Sequence, residues 1–235
     1  INGLTKCYKN RIAVNELSLK IDDGEIFGLL GLNGAGKTTT IKMLSGIAEP
    51  TKGSATVYGH ALSDVEGLKS VIGISPQESA VSPVLTVKEN LVFVATLYGF
   101  DNKDAKTRAE NLMRKFDLID RAKDKAKSLS GGLCRRLSIA MALISEPKVL
   151  FLDEPTLGLD ILARRELWSI IKSLKKEMTV VLTTHYLEET EALCDKIAIM
   201  RDGKLVAVGT SDELIKLSGK ENFEEAFIKL SGESA

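Results

Sequence analysis

Residues Gly31-Leu32-Asn33-Gly34-Ala35-Gly36-Lys37-Thr38 follow the pattern G-x-x-x-x-G-K-[ST] without a mismatch. Each position has a chemical reason. Glycines at 31, 34 and 36 let the main chain curl so that successive N–H groups converge on an anion. The helix start that follows adds unpaired donors and a partial positive charge. Lys37 can reach the β- and γ-phosphates, and the Thr38 hydroxyl suits Mg²⁺, which prefers oxygen ligands. Asn33, Ala35 and Thr39 complete the cradle. The apolar run before it and the amphipathic stretch after it are the context such a loop needs. The segment implies binding of a nucleoside triphosphate.

A second chemical group is Asp153-Glu154, at the end of the apolar run Val149 to Leu152. Ligands sit at strand ends in parallel sheets. There Asp153 suits Mg²⁺, directly or through water, and Glu154 suits a general base acting on water, since phosphoryl transfer needs positioning more than covalent chemistry. A third group is Leu129-Ser130-Gly131-Gly132, just before a helical stretch read over Leu133 to Ser145. Read alone it is a serine N-cap with a glycine turn. Beside the phosphate loop it reads as a second anion cradle, serving a nucleotide held by another subunit.

The elements that position these groups are legible from apolar periodicity. Ile12 to Leu19, Glu25 to Leu30, Ser54 to Tyr58, Val149 to Leu152, Thr179 to Thr183 and Lys196 to Met200 read as strands. Lys37 to Ser45, Arg164 to Lys176 and Leu187 to Leu193 read as helices. Residues 86–127 change character, lacking proline and showing a stripe at Leu91, Val94, Ala95 and Tyr98, which reads as a helical insert. The expected fold class is α/β: a parallel sheet covered on both faces, an antiparallel β portion at the N-terminus and a helical subdomain. The expected division is a core over 1–85 and 128–210, the insert over about 86–127, and a helical tail over about 211–235. The 235 residues balance 32 Lys+Arg against 32 Asp+Glu, so no wholly cationic surface exists and no nucleic acid partner is expected. No apolar run reaches the roughly 18 residues of a membrane span, and no signal-peptide pattern is visible. Cys7, Cys134 and Cys194 are widely spaced without metal-like pairing and read as reduced thiols.

The order of these motifs resembles the ATP-binding subunit of an ABC transporter, a P-loop NTPase, from end to end of the chain. The resemblance implies further roles. Tyr8 matches the aromatic that stacks on adenine. Gln77, in Ile74-Ser75-Pro76-Gln77, matches the glutamine that contacts Mg²⁺ and the catalytic water. Ser130, Gly131 and Gly132 match the signature, Gly158-Leu159-Asp160 the aspartate loop, and His185 the switch histidine. Leu133 and Cys134 depart from the polar residues common after the signature, which bears on packing at the dimer seam. His60 matches no motif and reads as exposed.

Thr38-Thr39-Thr40, Pro155 to Asp160, Thr184 to Glu189 and the tail Asn222 to Leu230 are similar to the drug-resistance exporter branch. That branch implies ATP and Mg²⁺, a second ATPase subunit, a separate membrane permease, and a peripheral place on the cytoplasmic face of the cell membrane. The permease contact is expected in the groove between core and insert, near Gln77 and 78–98. A soluble ABC ATPase, such as an iron–sulfur assembly type, is the alternative, and a nucleotide-binding regulator without turnover a third.

Overall fold

The continuous apolar runs become strands buried on both faces. In a computed structural model describing residues 1–175 and 177–232, β1 (Asn2–Tyr8), β2 (Arg11–Leu17) and β4 (Lys52–Ser54) form an antiparallel sheet in the order β2-β1-β4. A six-stranded sheet contains β3 (Ile26–Leu30), β7 (Ile72–Ser75), β8 (Val149–Asp153), β9 (Thr179–Thr184), β10 (Lys196–Arg201) and β11 (Lys204–Gly209), in the order β11-β10-β3-β9-β8-β7. Only β11 runs antiparallel there.

Side chains alternate between two cores, as strand geometry requires. Ile26, Leu150, Leu152, Val180 and Leu182 face one core. Phe27, Leu29, Phe151, Val181 and Ala198 face the other. The first core packs against α3 (Val87–Leu97), α4 (Asn102–Lys115), α5 (Gly131–Ala142) and α6 (Ile161–Leu174). The second is covered by α1 (Lys37–Leu44), α2 (Val65–Val71) and the antiparallel sheet. α3 is fixed at its start by a capping box, in which Glu89 N–H donates to Thr86 Oγ1 and Thr86 N–H to Glu89 Oε2. α7 (Leu187–Leu193) follows β9.

The tail is helical, with α8 (Ser211–Ser218) and α9 (Phe223–Ser231). Phe223 and Phe227 of α9, one turn apart, fill a third core with Leu30, Ile197 and Ile199. The Arg201 guanidinium donates to the Ser231 carbonyl and ties the end of α9 to β10.

Several boundaries differ from the sequence reading. The strand read over Ser54 to Tyr58 divides: β4 ends at Ser54, and β5 (Thr56–Val57) pairs instead with β6 (His60–Ala61). Tyr58 (φ +50°) and Gly59 (φ +87°) make the tight hairpin between them, a turn that requires left-handed backbone at both positions. His60 is half-buried, and its Nδ1 lies 2.8 Å from Asp64 Oδ2. In the insert Leu91 and Ala95 are buried, whereas Tyr98 is 49% exposed and faces a groove rather than the core. α6 begins at Ile161, earlier than read, and Lys176 and residues 233–235 lie outside the described residues.

Candidate functional site

The phosphate loop leaves β3 at Gly31 and enters α1 at Lys37. Two glycines are required by space. A Cβ on Gly31 would lie 2.4 Å from the Met200 carbonyl oxygen, and one on Gly36 (φ +101°) would lie 2.6 Å from that of Ala13. Gly203, in the turn between β10 and β11, donates to the Ala35 carbonyl at 3.1 Å and braces the loop from behind. Lys37 is buried, and its Nζ donates to the carbonyls of Gly31 (2.7 Å) and Leu32 (3.3 Å). The same ammonium stands 3.3 Å from Glu154 Oε1.

The carboxylates come from the end of β8. Asp153 Oδ1 accepts from Thr38 Oγ1 at 3.0 Å and from Thr183 Oγ1 at 2.5 Å. Glu154 has left-handed backbone (φ +48°), unusual for a non-glycine residue and the kind of strain that collects at functional sites. β9 holds it there: the Glu154 N–H donates to both the carbonyl (3.1 Å) and the hydroxyl (3.0 Å) of Thr183. Glu154 Oε2 lies 2.9 Å from His185 Nδ1. One carboxylate thus touches the lysine on one side and the histidine on the other.

These groups open into one cleft of about 720 Å³. Of the residues read from sequence, Tyr8, Asn33, Gly34, Ala35, Gly36, Lys37, Thr38, Thr39, Gln77, Glu154 and His185 all line it, and Asp153 lies beneath Thr38. Tyr8, at the end of β1, is 46% exposed at the cleft edge, so one ring face is available for stacking. The glycine cradle, the neighbouring Thr38 and Asp153 oxygens and the lysine fit a Mg²⁺ nucleotide.

Ser130, Gly131 and Gly132 do not line this cleft. They form the exposed start of α5, where Ser130 is the N-cap and its Oγ accepts from Leu133 N–H at 3.4 Å. The helix starts at Gly131, not at Leu133 as read, so both glycines belong to the first turn, whose N–H groups have no partner within the helix. Gly132 packs against α6: a Cβ there would meet that of Ala163 at 3.0 Å. Asp160 caps α6 by accepting from Ala163 N–H at 2.9 Å.

Sequence reasoning missed Thr183, Arg11 and Arg135. Thr183 had a signal, a hydroxyl ending an apolar strand beside the acidic pair. Arg11 lines the cleft between Tyr8 and the phosphate loop. Arg135 is buried on α5, and burial pushes its pKa down while the charges of Asp153, Glu189 and Glu154 oppose that.

Residues 14–157 match a family model described as ABC transporter. The linearmycin resistance ATP-binding protein LnrL of Bacillus subtilis (strain 168) is 42% identical over 219 residues, covering 92% of this chain and 70% of that protein. A solved ATP-binding subunit of an ABC transporter superposes with a TM-score of 0.86 at 31% identity, covering 98% of each chain. A dimeric, post-hydrolysis ATP-binding cassette holding ADP and Pi does so with a TM-score of 0.80 at 25% identity, covering 89% of this chain and 97% of that one. The chain belongs to the ABC transporter family, as an ATP-binding and ATP-hydrolysing subunit.

Proposed function

We propose that this subunit powers export of a substrate through a separate membrane permease, by closing head-to-tail with a second ATPase subunit around two MgATP. One observation carries the reading. The candidate groups line the cleft or, for Asp153, lie just beneath it, except Ser130, Gly131 and Gly132, which form a helix start elsewhere. A second subunit supplying those amides and that hydroxyl completes the site, and the dimeric relative supports the arrangement.

Within the cleft the roles are those the family resemblance implies, and the contacts of Lys37, Asp153, Glu154 and His185 support theirs. Tyr8 stacks on adenine. The amides of 33–39 and the Lys37 ammonium hold the phosphates. Thr38, Asp153 and Gln77 would hold Mg²⁺, which when bound would neutralise the phosphate charge. Glu154 takes the proton of the attacking water. His185 holds that carboxylate, its Nδ1–H donating to Oε2.

A groove between core and insert, lined in part by Ile47, Val65, Leu68, Val94, Tyr98 and Met141, fits the permease contact. Ile47 and Tyr98 expose apolar surface there, and Pro76, beside Gln77, forms part of its wall. Among the described residues no helix is long and apolar enough to cross a membrane. A peripheral place on the cytoplasmic face, held by the permease, accords with this. The drug-resistance role of the linearmycin-resistance relative favours an exporter over a soluble iron–sulfur assembly ATPase. The test is copurification from membranes: a polytopic protein should accompany the tagged chain, and recovery of the chain free of any membrane protein would overturn the transport role.

A further inference from the structure

Arg135 lies on α5, the helix that begins with Gly131 and Gly132. It is 8% exposed, yet no carboxylate forms an ion pair with it among the described residues. Its guanidinium donates instead to three main-chain carbonyls: Nε to Pro155 at 2.9 Å, Nη1 to Pro76 at 2.5 Å and Nη2 to Asp153 at 2.7 Å. Each acceptor adjoins the proposed chemistry. Asp153 is one of the proposed metal ligands, Pro155 follows Glu154, and Pro76 precedes Gln77.

The two loops leave adjacent parallel strands, whose ladder ends at Ser75 and Leu152. Beyond the ladder, Arg135 is the one side chain whose hydrogen bonds bridge 76–77 and 153–155 among the described residues. Burying a guanidinium carries a desolvation cost that a packed apolar residue would avoid. What the guanidinium adds is shape, a planar fork whose donors point at several acceptors at once.

We propose that Arg135 is a positioning residue for hydrolysis, which ties the signature helix to the loops that aim Glu154 and Gln77 in the same subunit. The coupling between subunits rests on the shared-site reading given above. When the start of α5 engages the second subunit's nucleotide, the three bonds carry its displacement to Glu154 and Gln77. Each cleft then senses the occupancy of the other through its own signature helix.

The test compares Arg135→Lys and Arg135→Gln with the unaltered chain. Lysine keeps the charge but has one nitrogen, which cannot span three separated carbonyls. Affinity for a fluorescent ATP analogue should stay within about twofold, because no residue lining the cleft changes, whereas kcat per binding-competent site should fall about 10- to 100-fold with little change in KM. The Hill coefficient for ATP should fall toward one. A residue that merely packs would lower the unfolding temperature and the competent fraction but leave kcat per competent site unchanged, and that result would overturn the proposal. So would kcat within twofold of normal for Arg135→Lys. An unchanged Hill coefficient beside a lowered kcat would overturn the coupling and leave the positioning standing. Size-exclusion chromatography of Glu154→Gln with ATP separates the premises: if that chain stays monomeric, the shared-site reading fails, and Arg135 is judged on kcat alone.

Discussion

The Lys37 ammonium lies 3.3 Å from Glu154 Oε1, both groups being buried. The cation that would grip the phosphates and the base that would activate water therefore restrain each other. In the proposed mechanism an incoming phosphate would compete with Glu154 for Lys37, and Glu154, in yielding, would be released to accept a proton. Binding and base activation would then be two consequences of one displaced ion pair.

Glu154→Gln removes the base and the competing charge together. Phosphate release should fall by about 10²–10⁴-fold, while MgATP affinity, read by fluorescent nucleotide titration, should rise. Near-normal turnover would remove Glu154 from the role of base.

Ser130 and Lys37 belong to different clefts in the shared-site arrangement, so their variants should complement each other. Ser130→Ala alone should leave nucleotide affinity of the isolated chain unchanged and reduce hydrolysis by about 10²-fold. Lys37→Ala alone should lose binding and turnover. Mixed dimers retain one intact site, in which Lys37 from one chain meets Ser130 from the other. Turnover should reappear on mixing, as a phosphate-release assay can show, and its failure to do so would count against the dimer.

Thr183 donates to Asp153 and accepts from the Glu154 N–H, so Thr183→Val strips one partner from each without changing side-chain shape. The Glu154 N–H keeps the Thr183 carbonyl, while Asp153 Oδ1 is left with Thr38 alone. A loss of about 1–3 kcal/mol in stability is expected, with kcat falling more than affinity. Thermal unfolding and steady-state kinetics measure the two, and an unchanged kcat would separate Thr183 from the chemistry.

Glu189 is fully buried on α7, where its Oε1 accepts from Trp168 Nε1 at 3.1 Å. Burial raises its pKa above the ordinary 4.5, and the Trp168 donor only partly offsets this. The folded chain thus holds this proton more tightly than the unfolded one. The stability it contributes is present at low pH and is lost as pH rises from 4.5 through the folded value. Glu189→Gln keeps the acceptor for Trp168 and cannot ionise, so its unfolding temperature should gain on the unaltered chain as pH rises. A constant difference across pH would refute the assignment.

What the sequence made legible was whatever is contiguous. Gly31 to Thr38 and Asp153-Glu154 each sit on one strand end, so neighbours along the chain are neighbours in space. The parallel core was equally readable, because strands buried on both faces must be apolar throughout. Arg135 could not be read, since its three acceptors are main-chain carbonyls that leave no mark on residue type. Tyr98 followed the helical stripe of Leu91 and Ala95 yet stays exposed, because periodicity marks a face without saying whether anything covers it. Gly131 and Gly132 read as a turn because glycine disfavours helix, whereas the Ser130 cap carries the helix through them.

The strand order has a consequence for the size of the chemistry it can host. β3, which feeds the phosphate loop, and β8, which carries the acidic pair, are not neighbours, because β9 lies between them. With strands about 4.8 Å apart, this one strand works as a spacer that holds lysine-side and carboxylate-side main chains about 10 Å from each other. Side chains from both edges then meet over a gap of molecular width, and the spacer itself contributes Thr183, beneath the gap, and leads directly to His185. Adjacent β3 and β8 would close the gap, and two intervening strands would leave Lys37 and Glu154 out of reach of each other. The sheet is therefore a gauge that sets the distance over which Lys37 and Glu154 face each other.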